Sequence, residues 1–235
     1  ASINLSAGQF CTNPGILIGI KGESLDIFLK ELSELIKKTS PAPMLNDGIH
    51  NNYVKKRSKA LSTSQVNVNA VADIEAGSNE GLPTIATCCA QTFLDNPLLQ
   101  EEVFGPYSLL VCCDNADEMT MIAKNLSGQL TATVMATEND VAQHRTLIEQ
   151  VKNICGRFIF NGVPTGVEVC LSMQHGGPFP ATTDSRFTAV GADGIRRFAR
   201  PIAFQNWPDA LLPEELQESN PLNIWRTINN EPGRS

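Results

Sequence analysis

The chain has 235 residues, of which 42% are hydrophobic and 18% are charged, a composition typical of a globular protein with one large core or two small ones. The formal net charge of −7 argues against nucleic acid or an anionic membrane surface as a partner, because both are bound through clustered lysine and arginine. No apolar run is long enough to cross a bilayer, so the sequence predicts no membrane partner.

Cysteine usage indicates a reducing compartment. The chain contains seven cysteines, an odd number, and four of them form adjacent pairs at 88–89 and 112–113. This spacing matches no disulfide framework, so we expect free thiols in a cytoplasmic protein, with the adjacent pairs buried in strands. The three histidines are scattered and no Cys-x-x-Cys motif occurs, so no metal site is expected.

The first informative segment in the chain is residues 8–15, with the sequence GQFCTNPG. Glycine on both sides of Cys11 and a proline after it describe a constrained turn and not a strand interior. A thiol exposed on such a turn can act as a nucleophile, and backbone N–H groups there can stabilise its thiolate and a developing oxyanion. A partly buried structural cysteine is an equally good interpretation of this segment alone.

Two helices are predicted next. Ser24 is a suitable N-cap for a helix that runs to about residue 39. The apolar stripe of this helix contains Leu25, Phe28, Leu29, Leu32, Leu35 and Ile36. A more polar helix is predicted over 51–61, and turns are predicted over 76–83.

From residue 84 the pattern becomes regular, with short apolar runs alternating with helical segments. The predicted strands cover 84–89, 107–113, 130–136 and 156–161, and the predicted helices cover 116–126 and 140–151. The apolar runs are continuous, which is typical of strands covered on both faces, and the helices are long enough for parallel crossovers. We therefore expect an α/β fold with a mostly parallel sheet and helices on both faces.

The segment from about residue 164 to residue 235 has a different character. It is rich in proline and glycine, has few periodic elements and contains both tryptophans. Such a segment favours long ordered loops that wrap the sheet. The expected organisation is a single domain, with an α/β core over about 1–163 and a loop-rich tail over about 164–235.

Nucleotide-binding signatures are incomplete. Neither GxGxxG after a strand nor GxxxxGK[ST] occurs, so any nucleotide site must be shared with other residues. One candidate part of such a site is residues 101–106, EEVFGP, where the Glu102 carboxylate can bind ribose hydroxyls and the Phe104 ring can lie against a nicotinamide or an aldehyde. An acidic loop that ends in a proline turn is the alternative.

Several motifs together resemble one family. The segments GQFC at 8–11, EVFGP at 102–106 and NGVPTGV at 161–167 occur in the order found in aldehyde dehydrogenases, with comparable separations. The segments HGGPFPATTD at 175–184 and RFARP at 197–201 look more particularly like the α-ketoglutaric semialdehyde (2,5-dioxovalerate) dehydrogenase branch. The resemblance covers nearly the whole chain and implies the fold of the family's catalytic domain.

The resemblance also implies a mechanism. Cys11 would attack the aldehyde carbon to give a thiohemiacetal, which loses hydride to NADP+ or NAD+ and leaves a thioester that water hydrolyses to the acid. Glu102 would bind the nicotinamide ribose, and Phe104 would flank the ring. The substrate tunnel would be lined by Pro164, Thr165, Gly166, Val167 and Phe179. The substrate would be a semialdehyde, with α-ketoglutarate as the product, and similarity to the branch favours NADP+.

In the family, the cofactor-binding domain, the general-base glutamate and a side-chain amide of the oxyanion hole precede the nucleophile, whereas ten residues precede Cys11 here. We therefore expect little or no dehydrogenase activity from this chain alone, and a homodimer or tetramer for the complete enzyme, with oligomer contacts in the tail. Two alternatives stay open. A cysteine-dependent acyl transferase or hydrolase would need a histidine beside Cys11, but His50 is the nearest in sequence and His175 is interpreted as a loop histidine bonded to backbone. A non-catalytic assembly module is the other.

Overall fold

The computed structural model describes residues 1–234. In chain order the strands and α-helices are β1 (Ile16–Ile20), α1 (Glu23–Lys37), β2 (Ala42–Pro43), α2 (Asp47–Leu61), β3 (Asn67–Val71), β4 (Glu80–Gly81), β5 (Thr84–Cys89), α3 (Ala90–Asp95), β6 (Tyr107–Cys113), α4 (Ala116–Asn125), β7 (Gln129–Val134), α5 (Glu138–Gln143), α6 (Arg145–Asn153), β8 (Cys155–Phe160), β9 (Arg226–Ile228) and β10 (Glu231–Gly233). Among these residues, no helix has the length and apolar character needed to cross a membrane.

The central sheet contains four strands in the order β1-β6-β5-β3. Strand β6 lies between β1 and β5 and is parallel to both, while β3 runs antiparallel at one edge. Strands β7 and β8 form a separate parallel pair. The mostly parallel α/β fold is therefore confirmed, although β1 and β3 were not predicted. Strand β3 escaped prediction because three of its five residues are exposed and two are asparagines, which are rare in strands.

Helices cover both faces of the central sheet, as expected. Helix α1 packs against β3 and β5, where Ile36 and Ile85 belong to one buried cluster. Helices α3 and α4 pack against the opposite face, where Phe93, Val111 and Ile122 are fully buried in a larger cluster. Burial of each such side chain contributes about 2 kcal/mol, so the two clusters fix the sheet that carries the loops described below.

Helix α1 differs from its prediction in its start and in its buried face. It begins at Glu23, after Gly22, and the Ser24 cap does not form. Phe28 and Leu35 are 46% and 64% exposed, so the prediction that they share a buried stripe is wrong. The more buried apolar positions, 25, 29, 32 and 36, repeat every three or four residues and occupy one narrow face, and the two exposed side chains flank it.

The helix predicted over 140–151 is two helices in the structure. A capping box between Thr137 and Asp140 starts α5 at Glu138, and His144, with φ −108° and ψ 37°, separates it from α6. Helix α6 packs against α4, but neither α5 nor α6 contains a fully buried residue. Packing therefore does not hold the two segments in one straight helix. Helix α2 also starts earlier than predicted, because the Asn46 side chain caps it.

The chain forms two compact units, residues 1–197 and the segment from Phe198 onward. The loops that follow residue 163 up to Arg197 belong to the first unit. The second unit contains short 3-10 helices and the antiparallel hairpin of β9 and β10. Its turn residues Asn229 and Asn230 have φ of 52° and 70°, the left-handed conformation that a two-residue type I′ turn requires.

Candidate active site

The turn around Cys11 leads directly into β1 and is attached to the loop and strand β6 beside it. The Asn13 side-chain amide donates to the Gly105 carbonyl at 3.0 Å, and the Ser108 hydroxyl donates to the Pro14 carbonyl at 2.6 Å. Cys11 itself is exposed. The turn therefore presents the thiol to solvent at the amino end of β1 while its neighbours are hydrogen-bonded to the sheet.

Gly8 allows this turn to pack backbone to backbone against the loop before β6. Its φ is +67°, in the left-handed region that favours glycine. A Cβ at this position would lie 2.3 Å from the carbonyl carbon and oxygen of Gly105, closer than any real side-chain contact. The two segments that the sequence analysis singled out separately, 8–15 and 101–106, are thus in direct contact.

The imidazole of His175 lies beside the thiol of Cys11, with 3.3 Å between Nε2 and Sγ. His175 is half-buried; its N–H donates to Thr188 Oγ1 at 2.9 Å, and its carbonyl accepts from the Ala189 N–H at 2.8 Å. The imidazole was expected to bond to backbone, but its hydrogen-bonding partner in the structure is the Cys11 thiol, a contact that was not predicted from the sequence. An imidazole within hydrogen-bonding distance of a thiol can accept its proton and so generate the nucleophilic thiolate.

The loop that carries His175 is anchored over the separate strand pair. A Cβ at Gly156, in β8, would lie 2.2 Å from the Gly176 carbonyl oxygen, so the loop passes directly across this strand. The Gly128 N–H, just before β7, donates to the Phe179 carbonyl at 3.3 Å. Phe179 is 79% exposed, so its apolar ring faces solvent while the backbone of the loop is held.

Phe104 lines a cavity of about 480 Å³ together with Ala7, Gln9, Met44 and Ile49. Cys11 is not among the lining residues of this cavity. The side chain of Glu102 is exposed, and the backbone carbonyl of the same residue accepts a hydrogen bond from Lys56 Nζ at 3.0 Å. The same short loop therefore carries an exposed carboxylate and contributes one aromatic ring to a concave surface whose other lining residues come from 6–9 and 42–49.

The loop of residues 164–167 is attached to the amino-terminal segment. The Arg157 guanidinium donates to the carbonyls of Pro164 and Gly166, the latter at 2.8 Å, and the Thr165 hydroxyl is hydrogen-bonded to that of Ser2. Val167 is half-buried. Within residues 1–234, no hydrogen bond joins the Cys11 side chain to this loop, to Phe179 or to residues 102–104.

Two of the remaining thiols differ from Cys11 in accessibility. Cys88 and Cys113 are buried, and burial raises the pKa of each thiol to about 12. A protonated, buried thiol is a poor nucleophile at neutral pH, in contrast to an exposed one. In the described part of the chain, no group of three or more candidate ligands could hold a metal ion.

Comparison with known proteins identifies the relatives of this chain. Residues 1–185 match the model of the aldehyde dehydrogenase family. The chain is 42% identical over 228 residues to alpha-ketoglutaric semialdehyde dehydrogenase 2 of Azospirillum brasilense, a match that covers 96% of this chain and 43% of that protein. The chain therefore spans less than half the length of this curated relative.

Two solved structures share the fold. The Delta-pyrroline-5-carboxylate dehydrogenase of Mycobacterium tuberculosis superposes with a TM-score of 0.67 at 16% identity, over 90% of this chain and 41% of that one. The succinic semialdehyde dehydrogenase of Streptococcus pyogenes, solved with NADP+, superposes with a TM-score of 0.58 at 20% identity, over 74% of this chain and 39% of that one. The match of the family model to most of the chain, together with the 42% identity to a curated relative, shows that the chain belongs to the aldehyde dehydrogenase family.

Proposed function

We propose that this chain is the catalytic domain of an NAD(P)+-dependent aldehyde dehydrogenase that oxidises α-ketoglutaric semialdehyde to α-ketoglutarate, with Cys11 as the nucleophile. The observation that carries the proposal is the exposed Cys11 thiol on a hydrogen-bonded turn, 3.3 Å from the His175 imidazole. The choice of substrate is supported by the 42% identity to a protein named for that semialdehyde.

In this proposal Cys11 carries the covalent chemistry. Its Sγ attacks the aldehyde carbon to form a thiohemiacetal, and after oxidation the acyl group remains on Sγ as a thioester until water releases the acid. His175 Nε2, 3.3 Å away, accepts the thiol proton and so increases the fraction of thiolate. The Cys11 backbone N–H stabilises the oxyanion of each tetrahedral species, an interaction worth ~3 kcal/mol in comparable sites.

The residues around Phe104 fit the nicotinamide end of NAD(P)+. The cavity of about 480 Å³ has Met44, Ile49 and an aromatic ring in its wall, and the nearby Glu102 carboxylate is exposed to accept hydrogen bonds from ribose hydroxyls. Phe104 would hold the ring and Glu102 the ribose. When bound, the nicotinamide supplies the hydride acceptor. NADP+ is favoured over NAD+ because the motif similarity is to the semialdehyde branch.

The substrate would be held by two loops. Pro164, Thr165, Gly166 and Val167 form one loop, which Arg157 and Ser2 fix in place, and Phe179 offers an exposed apolar ring on the other. In the same proposal residues 1–235 act as a single catalytic domain, with an α/β core to about residue 163 and a loop-rich remainder. The adenosine half of the cofactor has no GxGxxG in these residues, so we expect the chain alone to turn over little.

The setting of the enzyme forms a further part of the proposal. All seven cysteines are free, which supports a reducing compartment such as the cytoplasm. A homodimer or tetramer is proposed for the complete enzyme. It is supported by exposed apolar side chains in the tail, where the oligomer contacts are expected: Trp207 and Trp225 are 55% and 66% exposed.

The contact between Cys11 and His175 also favours a second candidate function. A cysteine with an adjacent imidazole is the arrangement used for acyl transfer and hydrolysis, and His175 supplies the histidine that this function needs. A hydrolase would cleave activated esters through Cys11 with no nicotinamide present. The aldehyde dehydrogenase proposal instead requires the nicotinamide for acylation by an aldehyde.

The test uses the full-length protein that contains this chain. We would mix it with α-ketoglutaric semialdehyde and NADP+, follow reduced nicotinamide by its absorbance, and quench with acid to find the acyl group on the Cys11 peptide by mass spectrometry. The proposal expects acylation of Cys11 that depends on NADP+ and is lost in Cys11→Ser. Acylation by an ester with no reduction of NADP+ by any aldehyde would support the hydrolase instead.

A further inference from the structure

Cys89 and Cys112 are neighbours across two parallel strands. Strand β5 pairs with β6 so that Cys88 lies opposite Val111 and Cys89 lies opposite Cys112. Neighbouring strands are about 4.8 Å apart, within the Cα separation of roughly 4.4–6.8 Å at which two cysteines can form a disulfide. The register therefore places two thiols of distant sequence position side by side.

The two thiols share one face of the sheet and are accessible. Side chains alternate along a strand, and Cys88 and Cys113 are buried on the face that α3 and α4 cover. Cys89 and Cys112 therefore point to the opposite face, and both are half-buried. Next to Cys112, β1 contributes Gly19, and the side chain of Leu25 occupies the space over this glycine.

The two thiols also differ chemically. Cys89 Sγ accepts the Thr92 N–H at 3.4 Å and lies 3.2 Å from Thr92 Oγ1; these hydrogen bonds lower the pKa of Cys89. Burial raises the pKa of Cys112. Hydrogen bonding thus favours the thiolate of Cys89, whereas burial favours the protonated thiol of Cys112, and an attacking and a resolving cysteine differ in the same direction.

We propose that Cys89 and Cys112 form a peroxide-sensitive dithiol that closes to a disulfide across β5 and β6. The Cys89 thiolate attacks one oxygen of hydrogen peroxide, the O–O bond breaks, and the departing hydroxide takes a proton to become water. The sulfur of Cys112 then attacks the sulfenic acid of Cys89, and its proton leaves with the hydroxyl group as a second water. The two thiols are oxidised by two electrons, which reduce the peroxide.

The test treats the 235-residue chain, with Cys11→Ser and Cys170→Ser to remove the two exposed thiols, with hydrogen peroxide. Trypsin would leave all four paired-strand cysteines in one peptide, because no lysine or arginine lies between Lys59 and Lys124. A glutamate-specific protease cuts after Glu80, Glu101 and Glu102 and separates peptides 81–101 and 103–118. Free thiols are alkylated before digestion under non-reducing conditions.

The expected product is peptide 81–101 linked to peptide 103–118, with two hydrogens lost and fragment ions that assign the bond to Cys89 and Cys112. A dithiol reductant restores both thiols. In a Cys112→Ser variant the reaction should stop at a sulfenic acid on Cys89 that dimedone traps. The proposal is overturned if Cys88 or Cys113 carries the link, or if Cys112→Ser leaves the product at Cys89 unchanged.

Discussion

Replacement of Gly8 by alanine tests whether close backbone packing positions the Cys11 turn. Gly8 has a φ of +67°, and a Cβ there would lie 2.3 Å from the Gly105 carbonyl group and 2.5 Å from the Pro106 nitrogen. These neighbours are backbone atoms, which cannot rotate away as a flexible side chain could. Gly8→Ala must therefore separate the turn from the loop before β6, or strain both.

The magnitude follows from two contributions. A left-handed conformation costs a non-glycine residue about 1 kcal/mol, and forcing an extra methyl group into a packed site costs about 1–3 kcal/mol. The free energy of unfolding of Gly8→Ala should thus fall by about 2–4 kcal/mol. With a urea m-value of about 2–3 kcal/mol/M, the unfolding midpoint falls by about 1 M.

Urea unfolding followed by circular dichroism measures this change, and the rate of Cys11 alkylation reports the position of the thiol. Gly15→Ala is the matched control, because a Cβ there would meet nothing within 4 Å and its φ is not in the left-handed region. The control should change stability by less than about 0.5 kcal/mol. Equal stability of the two variants would refute the packing argument.

Three further predictions concern separate parts of the fold. His175→Gln should slow alkylation of Cys11 near neutral pH by about tenfold, because the proton acceptor 3.3 Å from Sγ is lost. Burial raises the pKa of Cys88 and Cys113 from 9.0 to about 12. As the pH rises, the unfolded chain therefore loses these protons before the folded chain does. The free energy of unfolding, measured by urea unfolding across pH, should fall from about pH 9 upward by ~1.4 kcal/mol per pH unit for each thiol. Asn46→Ala should lower the free energy of unfolding of the chain by about 1 kcal/mol, because the side-chain cap of α2 is lost.

Each of these predictions has a control. His144→Gln removes an imidazole that lies between α5 and α6, and it should leave the alkylation rate of Cys11 unchanged. Cys113→Ala should reduce the slope of stability against pH above pH 9, and an unchanged slope would contradict the role of the buried thiols. Asn51→Ala, at an exposed position inside α2, should not destabilise the chain; a loss equal to that of Asn46→Ala would contradict the capping argument.

The parts of the fold that could be predicted from sequence are those fixed by local pattern and strong burial. Strands β5 and β6 match their predictions residue for residue, because each is a continuous apolar run covered on both faces. Strand β3 escaped because its asparagines and exposed positions mimic a loop, and its place depends on pairing with β5. Helix boundaries shifted where capping side chains decide the start, as Asn46 does for α2.

In the candidate site, too, the features set by neighbouring residues could be predicted from the sequence, and those set by distant residues could not. The Cys11 turn could be predicted because glycine permits and proline fixes the backbone conformation of a turn within a few residues. His175 is 164 positions from Cys11 in sequence, so no spacing rule could have placed the imidazole beside the thiol. Two glycines allow the close approaches on either side of this pair: a Cβ at Gly8 would collide with the loop before β6, and a Cβ at Gly156 would collide with the loop that carries His175. A glycine at such a position indicates that another segment of the chain passes close to it. A larger residue at Gly8 or Gly156 should therefore change the distance between Cys11 and His175, although neither of these two residues is replaced.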